Sequence, residues 1–162
     1  MAEFDDRIDR QFAERGCALI IGTVGPDGAP HAARAWGLTL GPGTRGPIRL
    51  LLSADDPVTH ANLRRADAHG GRIAITGADV VTLRSFQLKG RVIAWEPAGP
   101  DDEARAERYL AEFFTDIEQT DGTSRRLLER LRPAGYVACT VDVEESFDQT
   151  PGPGAGAPVE QP

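Results

Sequence analysis

Residues 82–92 read Thr82-Leu83-Arg84-Ser85-Phe86-Gln87-Leu88-Lys89-Gly90-Arg91-Val92. Successive side chains of a β-strand point to opposite faces. Phe86, Leu88 and Val92, with Gly90 in line, make an apolar face suited to a core. Ser85, Gln87, Lys89 and Arg91 make the other. That second face is a row of hydrogen-bonding and cationic groups on a rigid element, which suits an anionic polar ligand. A half-solvated strand of an antiparallel sheet carries the same pattern. Lys89 is the only lysine of the chain.

Upstream, Glu3 to Arg15 reads as an amphipathic helix, with Phe4, Ile8 and Phe12 at four-residue spacing and Gly16 as its stop. Cys17 to Val24 reads as a buried strand. Gly25-Pro26-Asp27-Gly28 is a turn signal, and Pro30 to Leu40 is the expected antiparallel partner. Simple alternation puts Arg34, Trp36, Leu38 and Leu40 on one face of it. An arginine among apolar residues calls for a partner. Gly41 to Pro47 reads as a loop and Ile48 to Leu52 as a short strand. Ser53 to Pro57 starts a helix over Val58–Ala68, ended by Gly70-Gly71. Arg72 to Thr76 is a fourth strand and Thr82 to Glu96 a long fifth.

Downstream, Asp101 to Ile117 reads as a helix with Tyr109, Leu110, Phe113 and Phe114 on its apolar side. Ser124 to Leu131 is a further helix, and Tyr136 to Val143 a sixth strand. From Thr150 the chain is rich in Pro and Gly. The expected organisation is one domain over residues 1–149 and a tail over residues 150–162. Strands joined mostly by hairpins do not alternate as βαβ units. The expected fold is therefore mainly β, a six-stranded antiparallel barrel with flanking helices.

The chain has 162 residues, enough for a substantial core, and a net charge of −7. That acidity argues against a nucleic-acid or anionic-membrane partner. No apolar run approaches the roughly 20 residues that span a bilayer. The two cysteines, Cys17 and Cys139, lie in apolar runs and form no CxxC or Cys/His cluster, so no metal site is expected. Two buried thiols in a reducing cytoplasm are the simplest reading. Heavy use of Ala, Gly, Arg and Pro suits a GC-rich bacterial genome. There is no GxSxG, HExxH, Walker or GxGxxG motif, and His31, His60 and His69 are dispersed, so no catalytic residue is assigned. Asp55-Asp56 complements a helix dipole. Trp36 and Trp95, taken alone, are core aromatics.

The order of these pieces carries more than each alone. An Ile-rich strand, a Pro-Asp-Gly turn and a strand with Pro30, Ala33, Arg34 and Trp36 come first. A helix with Thr59-His60-Ala61-Asn62-Leu63 and the Leu83-to-Val92 strand follow. This order resembles the FMN-binding split β-barrel family, the pyridoxamine 5′-phosphate oxidase-like proteins, from Cys17 to Val92. The run Phe147-Asp148-Gln149-Thr150-Pro151-Gly152-Pro153-Gly154-Ala155-Gly156 looks like the ending of a bacterial subgroup. The resemblance implies a homodimer with FMN sites at the subunit interface, and a flavin-dependent oxidoreductase acting on a small molecule. It implies that Arg34 grips the phosphate, with Ala35 and Trp36 beside it and Ser53, Thr59 and Asn62 near the helix start. The family usually has a lysine where Thr59 stands. Its Arg-Gln pair before the strand glycine becomes Arg84-Ser85 here, with Gln87 two residues on and Lys89, Arg84 or Arg91 near the ring. The tail lacks the oxidase's substrate-phosphate residues, so pyridoxamine 5′-phosphate oxidation is not expected. Non-catalytic binding of a flavin, deazaflavin or haem on the same fold is the alternative, and a fold relative with an empty cleft is a third. Gln149 and Thr150 are expected near the cleft, with the chain past Gly156 loose.

Overall fold

The structure is a computed structural model that describes residues 10–41, 47–67 and 70–159. Phe4, Ile8, His69, most of the loop expected at Gly41–Pro47 and the last three residues lie outside the described residues. Six strands, β1 (Ala18–Val24), β2 (Pro30–Thr39), β3 (Ile48–Ser53), β4 (Arg72–Ala78), β5 (Ser85–Pro97) and β6 (Tyr136–Asp148), close a barrel in the order β1-β2-β3-β6-β5-β4. Every pairing is antiparallel. This is the architecture expected from the hairpin punctuation.

Alternation builds the interior. Leu19 and Ile21 of β1, Ile73 and Ile75 of β4, Phe86 and Leu88 of β5, and Cys139 and Val141 of β6 are all buried. Helix α1 (Arg10–Glu14) sends Phe12 edge-on to Phe86, with ring centroids 5.4 Å apart. Helix α2 (Pro57–Arg64) closes one end of the barrel: its Asn62 donates to Thr23 Oγ1 at 3.0 Å, and Leu63 joins the core. Helix α3 (Pro100–Asp121) lies along the outside. Its Ala106 packs on Leu51 and Ala138, and Tyr109 donates to the carbonyl of Cys17 at 2.8 Å. Helix α4 (Arg125–Leu128) continues into one 3-10 turn. Both cysteines are buried, and burial pushes each thiol up to about 12.

Three details differ from the sequence reading. First, the alternation of β2 breaks. Ala35 pairs with Leu52 and Leu38 with Leu50, so Trp36 and Gly37 together oppose Leu51 as a β-bulge. Ala35, Leu38 and Leu40 are buried while Arg34 is exposed, so Arg34 does not share their face. Second, Thr82, Leu83 and Arg84 belong to a turn, because Asp79 accepts from the backbone of Val81 and Thr82 and Leu83 takes φ 62°. Third, β6 runs on to Asp148, and the tail to Val159 is ordered against it. Phe147 bridges Pro158, and the Val159 N–H donates to Ser146 O at 2.9 Å. The segment past Gly156 is therefore not loose as far as Val159. A rigid turn over residues 152–157, closed by Ala155 N–H to Gly152 O and Gly156 N–H to Asp148 O, folds it back.

Candidate functional site

The barrel register assembles a row of outward side chains that no single strand reveals. Arg34 of β2 pairs with Ile20 of β1, Ile20 with Thr76 of β4, Thr76 with Gln87 of β5, and Gln87 with Phe147 of β6. A parallel row runs Ala32, Gly22, Ala74, Lys89, Glu145. Both rows face out, because Ile21, Ile75 and Leu88 between them are buried. Neighbouring strands lie about 4.8 Å apart, so Arg34 and Gln87 stand about 14 Å apart along the sheet. Between them lies an apolar floor. Ile20 is 39% exposed, and Gly22, Ala32 and Ala74 are too small to fill the space above it. A depression of about 340 Å³ opens beside this row, over Gly22, Val24, Pro30, Ala74 and Lys89, with Arg72, Glu144 and Glu145 also on its rim; Arg34, Ile20, Thr76 and Gln87 do not line it.

The polar end of this floor is well defined. Gln87 donates its side-chain N–H to Thr76 Oγ1 at 3.1 Å, which holds the amide against the sheet. The Lys89 ammonium lies 4.6 Å from the Phe147 ring centroid. Ser85 sits at the same edge, where its N–H donates to Thr150 Oγ1 at 3.1 Å and its carbonyl accepts from Gln149 N–H at 2.9 Å. The tail is thereby tied, through Gln149 and Thr150, to the strand that carries Gln87 and Lys89. At the other end, the Arg34 guanidinium stands 5.7 Å from the Phe113 ring centroid, beneath α3.

The remaining sequence candidates fall elsewhere. Ala35 and Trp36 are buried, so only their backbone can meet a ligand. Arg84 stacks over Phe12 at 4.9 Å, beside Asp79 and Arg15. Ser53 Oγ accepts from Asp55 N–H at 3.2 Å, and its carbonyl is 2.8 Å from His60 Nε2. Thr59 is 1% exposed and is held by the helix cap, Asp56, whose carboxylate accepts from the Thr59 N–H and hydroxyl at 3.0 and 2.6 Å. Burial pushes the Asp56 carboxyl up, but the Thr59 hydrogen bonds and nearby His31 outweigh it and hold the carboxyl below its ordinary value. Asp56 faces His31 at 3.6 Å across the barrel end, whereas Arg34 points outward. The structure therefore joins Arg34 to Gln87 and Lys89 through the sheet and leaves the Thr59 hydroxyl engaged at the α2 cap. Among the described residues no group of three His, Cys, Asp or Glu gathers as a metal site.

Sequence reasoning missed Ile20, Gly22, Ala74 and Thr76. Their part depends on which strands neighbour β5 once the barrel closes.

These residues fit a flavin-like group. One end offers a guanidinium for an anionic tail, the centre offers a flat apolar floor, and the far end offers an amide and an ammonium for a polar ring edge. No protein-family model matches the sequence, and no curated protein matches it. Solved structures do. One described as an F420 reductase aligns at TM-score 0.56 and 17% identity, covering 85% of this chain and 94% of that one. HupZ of Group A Streptococcus aligns at 0.54 and 16%, covering 92% and 99%. A point variant of HupZ aligns at 0.51 and 15%, covering 86% and 94%. With the closed six-stranded antiparallel barrel, these likenesses establish that the chain has the split β-barrel fold.

Proposed function

We propose that the protein binds a flavin or deazaflavin cofactor across the outer face of the barrel, FMN foremost, and acts as an oxidoreductase on a small molecule. The cross-strand row from Arg34 through Ile20 and Thr76 to Gln87 carries this reading. Its length of about 14 Å suits a tricyclic ring with a ribityl phosphate tail. The F420 reductase among the structural likenesses keeps a deazaflavin beside FMN as the ligand class. The cofactor supplies the hydride chemistry, and the protein supplies binding, orientation and electrostatics. Arg34 holds the anionic tail. Gln87, pinned by Thr76, addresses the polar ring edge. Lys89 stabilises negative charge there. With Thr59 engaged by Asp56, the phosphate grip rests on Arg34.

The same face is the proposed dimer interface. Ile20 and Val24 are each 39% exposed beside Gly22, Ala32 and Ala74, and a ligand on the floor needs a second wall to exclude water. No described helix is long and apolar enough to cross a membrane, and cytoplasmic residence is part of this proposal.

The test is the visible spectrum of purified protein, followed by titration with FMN, F420 and haem. A flavin or deazaflavin band that saturates at one equivalent per chain is expected. A colourless protein that takes up none of the three overturns the reading. Light scattering at micromolar concentration should give twice the chain mass, and a monomer mass removes the two-subunit site.

A further inference from the structure

The second large opening lies at the other end of β2. A cavity of about 700 Å³ sits between the first turns of α3 and the ends of β2, β3 and β5. Small-molecule sites have volumes of this order. Along β2, Arg34 and Thr39 are five residues apart, about 16 Å, so the cavity is separate from the cofactor face.

Its charges are sorted rather than mutually cancelled. Arg49 is engaged by carboxylates: it donates to both oxygens of Asp102, at 2.5 and 2.7 Å, and to Glu96 at 2.6 Å. The Glu14 carboxylate is engaged by Arg10 at 2.5 Å and by Leu40 N–H at 2.8 Å. What remains is Arg105, Arg108 and Asp101.

Arg105 is half-buried, and its Nε and Nη2 donate only to the main-chain carbonyls of Leu38 and Glu14. Among the described residues no carboxylate accepts a hydrogen bond from it; burial pushes its guanidinium below the ordinary value, and the nearby Glu14 and Glu112 carboxylates only partly offset this. Among the described residues its Nη1 makes no hydrogen bond. Arg108 follows three residues later on the same helix face. It is exposed and, among the described residues, makes no hydrogen bond or ion pair. Asp101, in the first turn of α3, is exposed and equally without a partner among the described residues.

We propose that this cavity binds a small zwitterion, a molecule with a carboxylate and an amine in the manner of a free amino acid. The carboxylate meets Arg105 and Arg108, whose guanidinium N–H groups suit bidentate recognition. The ammonium meets Asp101 one to two turns away. The full lining has three guanidiniums against four carboxylates, which disfavours a dianion such as phosphate. A zwitterion leaves that balance unchanged and pairs each unengaged charge.

Ligand-observed NMR on the full chain tests this, with L-amino acids, acetate, methylammonium and inorganic phosphate as probes at millimolar concentration. At least one amino acid is expected to bind, and more tightly than acetate or methylammonium. Arg108→Ala and Asp101→Asn alter exposed side chains, so the fold should persist in both; a thermal melt checks it. Each should weaken the amino acid by about 10-fold or more. No binding by any amino acid, binding unchanged in both folded variants, or a preference for phosphate overturns the proposal. Titration with FMN is read on the same samples and should be unaffected by either substitution, which separates this site from the cofactor reading.

Discussion

The ammonium of Lys89 lies 4.6 Å from the ring centroid of Phe147, on the outer face of the barrel. The contact is diagonal: Lys89 opposes Glu145 in register and Phe147 opposes Gln87. It gives the only lysine a fixed direction beside the amide of Gln87, and it anchors that direction to the strand from which the tail folds back. Lys89→Gln is expected to weaken FMN by about 10-fold, the lower bound for a hydrogen bond to a charged group. Phe147→Leu removes the ring but keeps the charge, and should cost roughly 2- to 5-fold, as for an exposed cation–π contact. Flavin fluorescence titration measures both. Native affinity in Lys89→Gln would take Lys89 out of the site.

Arg34→Ala should weaken FMN by about 10- to 150-fold, corresponding to about 1.5–3 kcal/mol for a charge-assisted hydrogen bond. Riboflavin, which lacks the phosphate, should bind the variant and the parent equally. An equal loss for both ligands would mean that Arg34 supports the fold through Phe113 and does not hold the phosphate.

Much of the barrel was legible in the sequence because turns and alternation are local. Gly25–Gly28 marked the β1–β2 hairpin, and the two faces of β5 are those read from Phe86 and Gln87. Arg34 was assigned the wrong companions because the bulge at Trp36–Gly37 shifts the phase of β2. Gly37 inside a strand was the available signal, since glycine there often marks a bulge. The cap at α2 is half legible: the sequence marks Asp56 as a dipole partner, but its capture of the Thr59 hydroxyl depends on the side-chain geometry of the folded turn. The floor of Ile20, Gly22 and Ala74 was not legible at all. It arises from β1 lying between β2 and β4, a pairing of strands far apart in sequence.

Gly90 is a tight point of the frame. A Cβ there would lie 2.0 Å from the carbonyl oxygen of Asp142 and 3.1 Å from Val143 Cα, both backbone atoms that cannot swing aside. The register between β5 and β6 also shifts at Lys89/Gly90. Gly90→Ala is expected to destabilise the protein by about 1–3 kcal/mol or more, as for overpacking. Urea unfolding should show a lower midpoint with an unchanged slope. An unchanged midpoint would mean that the strands separate there at no cost.

Acid should unfold the protein through its engaged carboxylates. The Arg49 guanidinium holds Asp102 below its ordinary value of 3.8, with a backbone hydrogen bond from Gly99 adding to it. A depressed carboxyl contributes stability above its unfolded value, and that contribution is lost as pH falls through the lower folded value. The loss therefore lies below about pH 4, with Asp56 shifted the same way. Asp102→Asn should lower stability at neutral pH and flatten the fall below pH 4, as read by urea midpoints across the range. A fall of the same steepness in the variant would assign the acid sensitivity to other groups.

The tail is the element whose removal best separates fold from site. The barrel is closed by the pairing of β5 with β6 before the chain reaches Gln149. The segment beyond adds the Thr150 and Gln149 bonds to Ser85, the Phe147–Pro158 bridge and the packing of Val159 against the core. Truncation after Asp148 removes these without opening a strand pair, so the barrel should persist with a lower unfolding midpoint. Phe147 then loses its bridge to Pro158, which loosens the strand end that supports Lys89 at the ring edge of the proposed flavin. The FMN dissociation constant should rise and iodide should quench bound flavin more strongly. If the truncated protein folds, binds FMN as tightly and shields it as well, the tail stabilises β6 and has no part in the cofactor site.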